Sequence, residues 1–235
     1  MNSLYNSRQV ILDIETTGMN KSGCLYLNHK IIEIGIIEII DRKYTGKYLH
    51  YYLNPKRIIE EEAYKIHGIS NKFLSDKPYF SDVYLNIINF IKKSEIIVHN
   101  SVFDISFLDY EFSKLNLNIS KICEFSTITD TLFIARKLFP GKKNSLDALC
   151  SRYNIKNSRR NFHGALLDSW ILFKLYLYMT SKQQEIKFQS SNIKKTLSPL
   201  NSEYNQNKPL KILFASVSEK KNHQKYINMI NKNYI

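Results

Sequence analysis

Along the first third of the chain, apolar residues run in short continuous or alternating stretches, Val10 to Ile14, Ile31 to Ile40 and Tyr44 to Leu53. Runs of this length and composition suit β-strands, so a three-stranded opening is expected. After Pro55 the chain turns helical and loop-like through His67, Gly68 and Pro78. Val83, Leu85, Ile87, Ile88 and Ile91 then mark a helix over Asp82 to Ile91, lying against a sheet. Ile96 to Val98 predicts a short buried strand and Asp104 to Leu115 an amphipathic helix, while Phe125 to Thr127 lies beside another strand. Helices are expected at Thr131 to Leu138, Ser145 to Tyr153 and Ala165 to Thr180. Strands first and strand-helix alternation later describe an α/β sheet with helices packed on it.

From Ser181 the pattern decays into Gln, Ser, Asn and Lys. A last apolar group (Leu210, Ile212, Leu213, Phe214, Val217) and a polar, helix-like run from Ser218 to Asn231 are too small to fold alone. The expected organisation is a catalytic domain over residues 1–180, a flexible linker over 181–209 and a terminal binding segment over 210–235.

Composition narrows the class. Of 235 residues, 43% are hydrophobic and 13% aromatic, with only 7 Gly and 5 Pro, which indicates a folded chain. The stretch Met1 to Arg8 has no apolar signal core, and Ile31 to Ile40 carries Glu33 and Glu38 and is too short to cross a bilayer. A cytoplasmic protein with no membrane partner is expected. Cys24, Cys123 and Cys150 lack C-x-x-C spacing, so they suggest buried thiols rather than disulfides or zinc ligands. The net charge of +13 favours a polyanionic partner. The excess of Lys, Asn, Ile and Tyr is also what an AT-rich genome imposes on any protein.

Asp13 and Glu15 stand two apart on the first expected strand, where a period of two puts both carboxylates on one face and Ile14 on the other. Carboxylates inside a sheet are costly unless a cation neutralises them, and a hard divalent ion takes oxygen ligands. Taken alone, the spacing fits a solvated strand face better. Thr16, Thr17 and Gly18 follow at once, and a glycine there lets backbone approach a bound nucleotide. An ordinary turn would look the same. Asp104 follows a strand and the segment His99 to Phe103. That is where α/β sheets gather ligands, although a carboxylate near a helix start also simply complements the helix dipole. In His163 to Asp168 a loop histidine precedes a carboxylate in the first turn of an apolar helix, so the Asp is expected to be fixed and the His mobile. A neutral imidazole can take a proton from water, whereas a lone loop histidine is usually just solvated.

Together, D-x-E, a later Asp and H-x-x-x-x-D resemble the DEDD exonucleases of the ribonuclease H-like fold, in their histidine subtype. The base of the tyrosine subtype would fall at Gly164, which excludes it. The resemblance implies a mixed central sheet flanked by helices. It implies that Asp13, Glu15, Asp104 and Asp168 bind two divalent ions, Mg²⁺ or Mn²⁺, with His163 as general base. Over Arg8 to about Thr180 the chain is similar to the proofreading (epsilon) subunits of bacterial DNA polymerase III, notably at Leu12 to Asn20, His29 to Gly35, His99 to Phe112, Pro140 to Cys150 and His163 to Asp168. It departs from them at Ile14, Trp170 and most of the tail.

That likeness implies 3′ to 5′ hydrolysis of a single-stranded DNA 3′ end. Glu62 and His67 would contact the terminal nucleotide, Ile66 would wedge the last base, and Thr16 and Gly18 would lie beside the substrate with Asp13, Glu15 and Asp168. Without the family, the stretch around His67 is only a helix end capped by Gly68. In the linker, Gln183, Ile186 and Phe188 resemble the Gln-x-x-aliphatic-x-aromatic peptides that polymerase subunits insert into a sliding clamp. The terminal segment is implied to bind the polymerase (alpha) subunit, and a small theta-like subunit is a further candidate partner. Two other functions compete: RNA trimming by the same metal site, which does not itself distinguish the sugar, and a scaffold role in the polymerase complex.

Overall fold

The isoleucine-rich run Ile31–Ile40 forms a strand with both faces covered. The structure, a computed structural model, describes residues 8–115, 121–155, 162–181 and 215–232. The chain divides into two units, Met1–Gln183 and Gln184–Ile235. In the first unit, β1 (Gln9–Thr16), β2 (Ile31–Ile40), β3 (Lys43–Tyr52), β4 (Glu95–Val98) and β5 (Thr127–Asp130) form a sheet in the order β3-β2-β1-β4-β5. The first three strands are antiparallel neighbours, while β4 and β5 add in parallel, so the sheet is mixed. Asp41 and Arg42 both take positive φ (50° and 63°) in the two-residue β2–β3 turn, the conformation whose twist matches a hairpin. Edge strand β3 is largely exposed and carries Lys43 and Lys47, charges that discourage edge pairing.

The helices are α1 (Glu61–His67), α2 (Asn71–Leu74), α3 (Phe80–Ile91), α4 (Ser101–Ser113), α5 (Ile122–Phe125), α6 (Thr131–Leu138), α7 (Leu146–Arg152) and α8 (Ala165–Thr180). One face of β1 (Val10, Leu12, Ile14) packs with α3 and α4 through Val83, Ile87, Phe107 and Phe112. The other face presents Ile11, which meets Leu172, Phe173 and Tyr176 of α8. A third cluster joins Ile171, Leu175 and Met179 of α8 to Ala135 and Leu149. Helix α8 is therefore apolar nearly all round because it lies between the sheet and α6 and α7. By the period of two, Asp13 and Glu15 share α8's face.

Some boundaries differ from the sequence expectation. Strand β1 runs on to Thr16 and so includes Glu15, its antiparallel pairing with β2 continuing past Ile14. Phe125 ends α5, and the strand follows it at Thr127–Asp130. Helix α4 starts at Ser101, placing Asp104 in its first turn. The cysteines correct the expectation of buried thiols. Only Cys150 is buried, while Cys24 lies exposed in the β1–β2 loop and Cys123 stands with Glu124 on the exposed side of α5, whose Ile122 takes the inward position. No helix among the described residues is long and apolar enough to cross a membrane. In the second unit, α9 (Val217–Lys232) starts with a reciprocal cap: Ser216 Oγ accepts from Glu219 N at 3.2 Å, and Glu219 Oε2 accepts from Ser216 N at 2.7 Å. Gln183, Ile186, Phe188 and residues 210–214 lie outside the described residues.

Candidate active site

The site begins with a glycine. Gly35 on β2 pairs with Asp13 on β1, and Glu33 pairs with Glu15. A Cβ at Gly35 would lie 2.5 Å from the carbonyl carbon of Ala165 and nearer still to the backbone nitrogen and Cα of Leu166. Only a bare backbone lets the first turn of α8 settle so closely on the sheet. Ser169 fixes that seat by donating from Oγ to the Gly35 carbonyl at 2.9 Å in the interior. One turn of helix then suffices to bring Asp168, buried, beside the β1 carboxylates. Glu15, His163 and Asp168 each offer a donor atom, and these atoms lie within 4.8 Å of one another.

Asp104 arrives from the other side. Pairing of β1 with β4 ends at Ile11, so the far half of β1 has an edge without a strand neighbour on that side. The chain leaves β4 through His99 and Asn100, the latter in the left-handed region at φ 80°. Asp130 clamps this junction by accepting from Asn100 N (3.1 Å) and Ser101 N (3.0 Å). His99 is braced between Thr131 Oγ1 and the Asn144 carbonyl, both at 2.9 Å. Helix α4 buries Asp104, Phe107, Leu108, Glu111 and Phe112 on one stripe, so Asp104 sits on the inward face at 2% exposure. Burial pushes its carboxyl well above the usual range, against hydrogen bonds from its own backbone and that of Ile14. Such a charge is costly in isolation and is what a bound cation would neutralise. Glu111, on the same stripe, binds Lys30 Nζ at 2.9 Å and Ile31 N at 3.2 Å, a structural role.

His163 is less free than its loop position suggested. Its backbone N–H donates to the Ile66 carbonyl at 3.0 Å, and its ring Nδ1 lies 3.3 Å from Asp168 Oδ2. Gly68 caps α1 at φ 68°, and a Cβ there would touch the Phe162 ring at 2.9 Å. The cap glycine thus also seats the residue before His163, which ties the loop to α1. The imidazole itself stays 41% exposed, against 3% for the Asp168 side chain.

A cavity of about 360 Å³ gathers Asp13, Glu15, Asp104, His163 and Asp168, and with them Thr16, Gly18, Glu62, Ile66 and His67. A larger hollow of about 760 Å³ between β3 and α3 holds none of the ten, so chemistry rather than size marks the site. Four carboxylates and an imidazole on one cavity form an oxygen-rich donor set suited to hard divalent cations such as Mg²⁺ or Mn²⁺. Thr16 spends its side chain locally, bonding Gly18 through Oγ1 at 3.0 and 3.3 Å. Gly18 has φ +136°, and the space its Cβ would need is filled by the Glu60 carboxylate and by His29 Cε1 at 3.1 Å. The missing side chain lets these two groups pack against the backbone at the edge of the cavity. Ile66 is half exposed at the rim. His67 is buried, its Nδ1 accepting from Ile69 N at 3.0 Å, so the neutral ring carries its proton on Nε2. That Nε2 makes no hydrogen bond of good geometry among the described residues. Burial lowers the His67 pKa, with the Thr16 backbone and Glu33 pulling the other way.

Sequence reasoning passed over Gly35, Glu60, Phe103, Leu146 and Lys21. A glycine inside an otherwise continuous isoleucine run was the available signal for the first. The others reach the cavity only through tertiary packing and left no local sign.

The exonuclease family model matches residues 10–176. The chain is 52% identical over 231 residues to the DNA polymerase III subunit epsilon of Buchnera aphidicola subsp. Schizaphis graminum (strain Sg), covering 95% of this chain and 97% of that protein. It is 44% identical over 232 residues to the subunit of the same name from Escherichia coli (strain K12), covering 96% and 94%. Among solved structures it is similar to exonuclease X in complex with 5′ overhanging duplex DNA, with a TM-score of 0.56 and 26% identity over 73% of this chain and 90% of that one. The mixed sheet and its flanking helices are those of the ribonuclease H-like fold.

Proposed function

The chain belongs to the exonuclease family and, within it, to the epsilon subunits of DNA polymerase III, and from that premise we propose that it is the proofreading 3′ to 5′ exonuclease of a replicative polymerase. It removes mispaired 3′-terminal nucleotides as nucleoside 5′-monophosphates. The observation that carries the reading is the convergence of Asp13, Glu15, Asp104, His163 and Asp168, from three separate stretches of chain, on one cavity. Asp13, Glu15, Asp104 and Asp168 would hold two Mg²⁺ or Mn²⁺ ions. Bound there, such ions supply positive charge that stabilises the phosphate oxygens and lowers the pKa of water. His163 takes the proton of the attacking water, its ring oriented by Asp168 and its backbone by Ile66. Glu62 and His67 contact the terminal nucleotide, and Ile66 stacks at the last base.

The tail carries the assembly role in this reading. Residues 181–209 form a tether, Gln183, Ile186 and Phe188 enter a sliding clamp, and 210–235 bind the polymerase (alpha) subunit. A small theta-like subunit binds the catalytic domain, and the complex works in the cytoplasm. The test offers the purified chain matched 3′-labelled DNA and RNA oligonucleotides with Mg²⁺, with and without EDTA. Mononucleotides should leave the DNA 3′ end, EDTA should stop them, and Asp13→Ala or Asp168→Ala should abolish release while the chain stays folded. Activity within about tenfold of the parent in either variant removes the two-metal assignment, and a preference for RNA removes the proofreading role.

A further inference from the structure

The cavity presents an obstacle to its own substrate. Six carboxylates line it, Asp13, Glu15, Glu60, Glu62, Asp104 and Asp168, whereas Lys21 is the one lysine or arginine among its described lining residues. Two divalent ions would balance about four of those charges. Glu60 is answered from behind by Arg57 at 3.7 Å. Glu62 is answered by Lys21 alone within 4 Å among the described residues, Nζ to Oε1 at 2.9 Å, and both side chains are more than 70% exposed.

The backbone beneath Lys21 is pinned. Asn20 Nδ2 donates to the carbonyls of Cys24 and Leu27, both at 2.9 Å, and Asn20 N donates to Leu25 O at 3.0 Å. A flexible four-carbon stem thus starts from a fixed point at the mouth of the cavity and carries a compact charge into it. An ion pair so exposed is weak and screened by salt, so it is readily exchanged.

We propose that Lys21 is a substrate-binding residue that leaves Glu62 for a backbone phosphate of the entering DNA strand. The exchange keeps the ammonium paired with an anion throughout and frees the Glu62 carboxylate for the terminal nucleotide at the same moment. This rests on the exonuclease reading of the cavity, and it assigns to Lys21 a role that the carboxylates and His163 do not fill. Neutralising one phosphate of a single strand releases condensed counterions and leaves a mark in the salt dependence of binding.

Binding of a fluorescent single-stranded oligonucleotide is measured by anisotropy at salt concentrations between about 50 and 200 mM, with Ca²⁺ in place of Mg²⁺ to hold the strand bound. For Lys21→Gln the slope of log affinity against log salt should become shallower by about 0.7 to 1, with weaker binding at the low-salt end. Lys21→Arg should keep the parent slope, because it restores the charge. Equal slopes for the parent and Lys21→Gln, or the same loss in Lys21→Arg as in Lys21→Gln, overturn the proposal. Hydrolysis of the same oligonucleotide by the parent with Mg²⁺ reports separately. A parent that binds without hydrolysing sinks the exonuclease reading and leaves the slope comparison standing, and a parent that does not bind the strand at all overturns both.

Discussion

Replacing Gly35 by Ala should damage catalysis more than folding. The added Cβ would lie 2.5 Å from the Ala165 carbonyl carbon and closer still to Leu166 backbone, whereas ordinary contact begins near 3.4 Å. These are backbone atoms of a helix, so no side chain can swing aside, and the first turn of α8 must retreat by roughly 1 Å from the sheet. Overpacking of this kind costs about 1–3 kcal/mol, and losing a glycine's freedom in the unfolded chain returns about 0.4–1 kcal/mol. The net loss of about 0–2.6 kcal/mol corresponds to a Tm lower by at most roughly 10 °C for a unit of this size. Asp168 rides on that turn while Asp13 and Glu15 stay on β1. A displacement of about 1 Å between them is enough to lower kcat by roughly a hundredfold. The assay pairs thermal denaturation with single-turnover hydrolysis of a 3′-labelled single strand, run well below the variant's Tm. A Gly35→Ala protein with parental Tm and kcat within about threefold of the parent would refute the argument that this contact sets the carboxylate geometry.

Three further outcomes follow from the same structure. His163→Ala should lower the maximal rate by about two to four orders of magnitude with metal binding largely kept; loss of metal affinity with a normal rate at saturating metal would make His163 a ligand instead. Ending the chain after Thr180 should leave hydrolysis of free oligonucleotides intact and abolish co-purification with the polymerase subunit, because two weak tail contacts act together once either forms. Full-strength binding by the truncated chain would move that surface to the first unit. His99, whose pKa is lowered from 6.5 chiefly by burial, binds protons less well folded than unfolded. Its contribution is therefore present above about pH 6.5 and lost as pH falls toward the folded value, so Tm should drop on acidification. Buried Asp104 and Glu111, with raised pKa values, act in the opposite sense, so the comparison is between parent and His99→Gln. The variant should lose less stability between about pH 8 and pH 5, and an equal loss in both proteins would show that His99 carries no such linkage.

Much of the first unit was legible because its elements are long and strongly periodic. The extents of β2, α6 and α8 follow from the sequence pattern alone, since an apolar run with clear ends leaves one solution. The two-residue spacing placed Asp13 and Glu15 on one face, because alternation is a property of any extended chain. Which face it was, and what covered it, depended on α8, more than a hundred residues away. Read locally, Asp104 was also a helix-dipole carboxylate. Only the end of β4 pairing at Ile11 and the inward stripe of α4 turned it toward the others.

The tethering of His163 to Ile66 and Phe162 to Gly68 joins segments about a hundred residues apart, and neither carries a local mark of the other. The same holds for Lys21, an ordinary loop lysine until the fold sets Glu62 beside it and five more carboxylates behind. The sequence determined which groups exist and which strand or helix carries each, because propensity and period act over a few residues. Tertiary structure alone decided the distances between those groups, because they are set by how closely backbones can approach, and at Gly35 that comes down to the absence of one carbon atom.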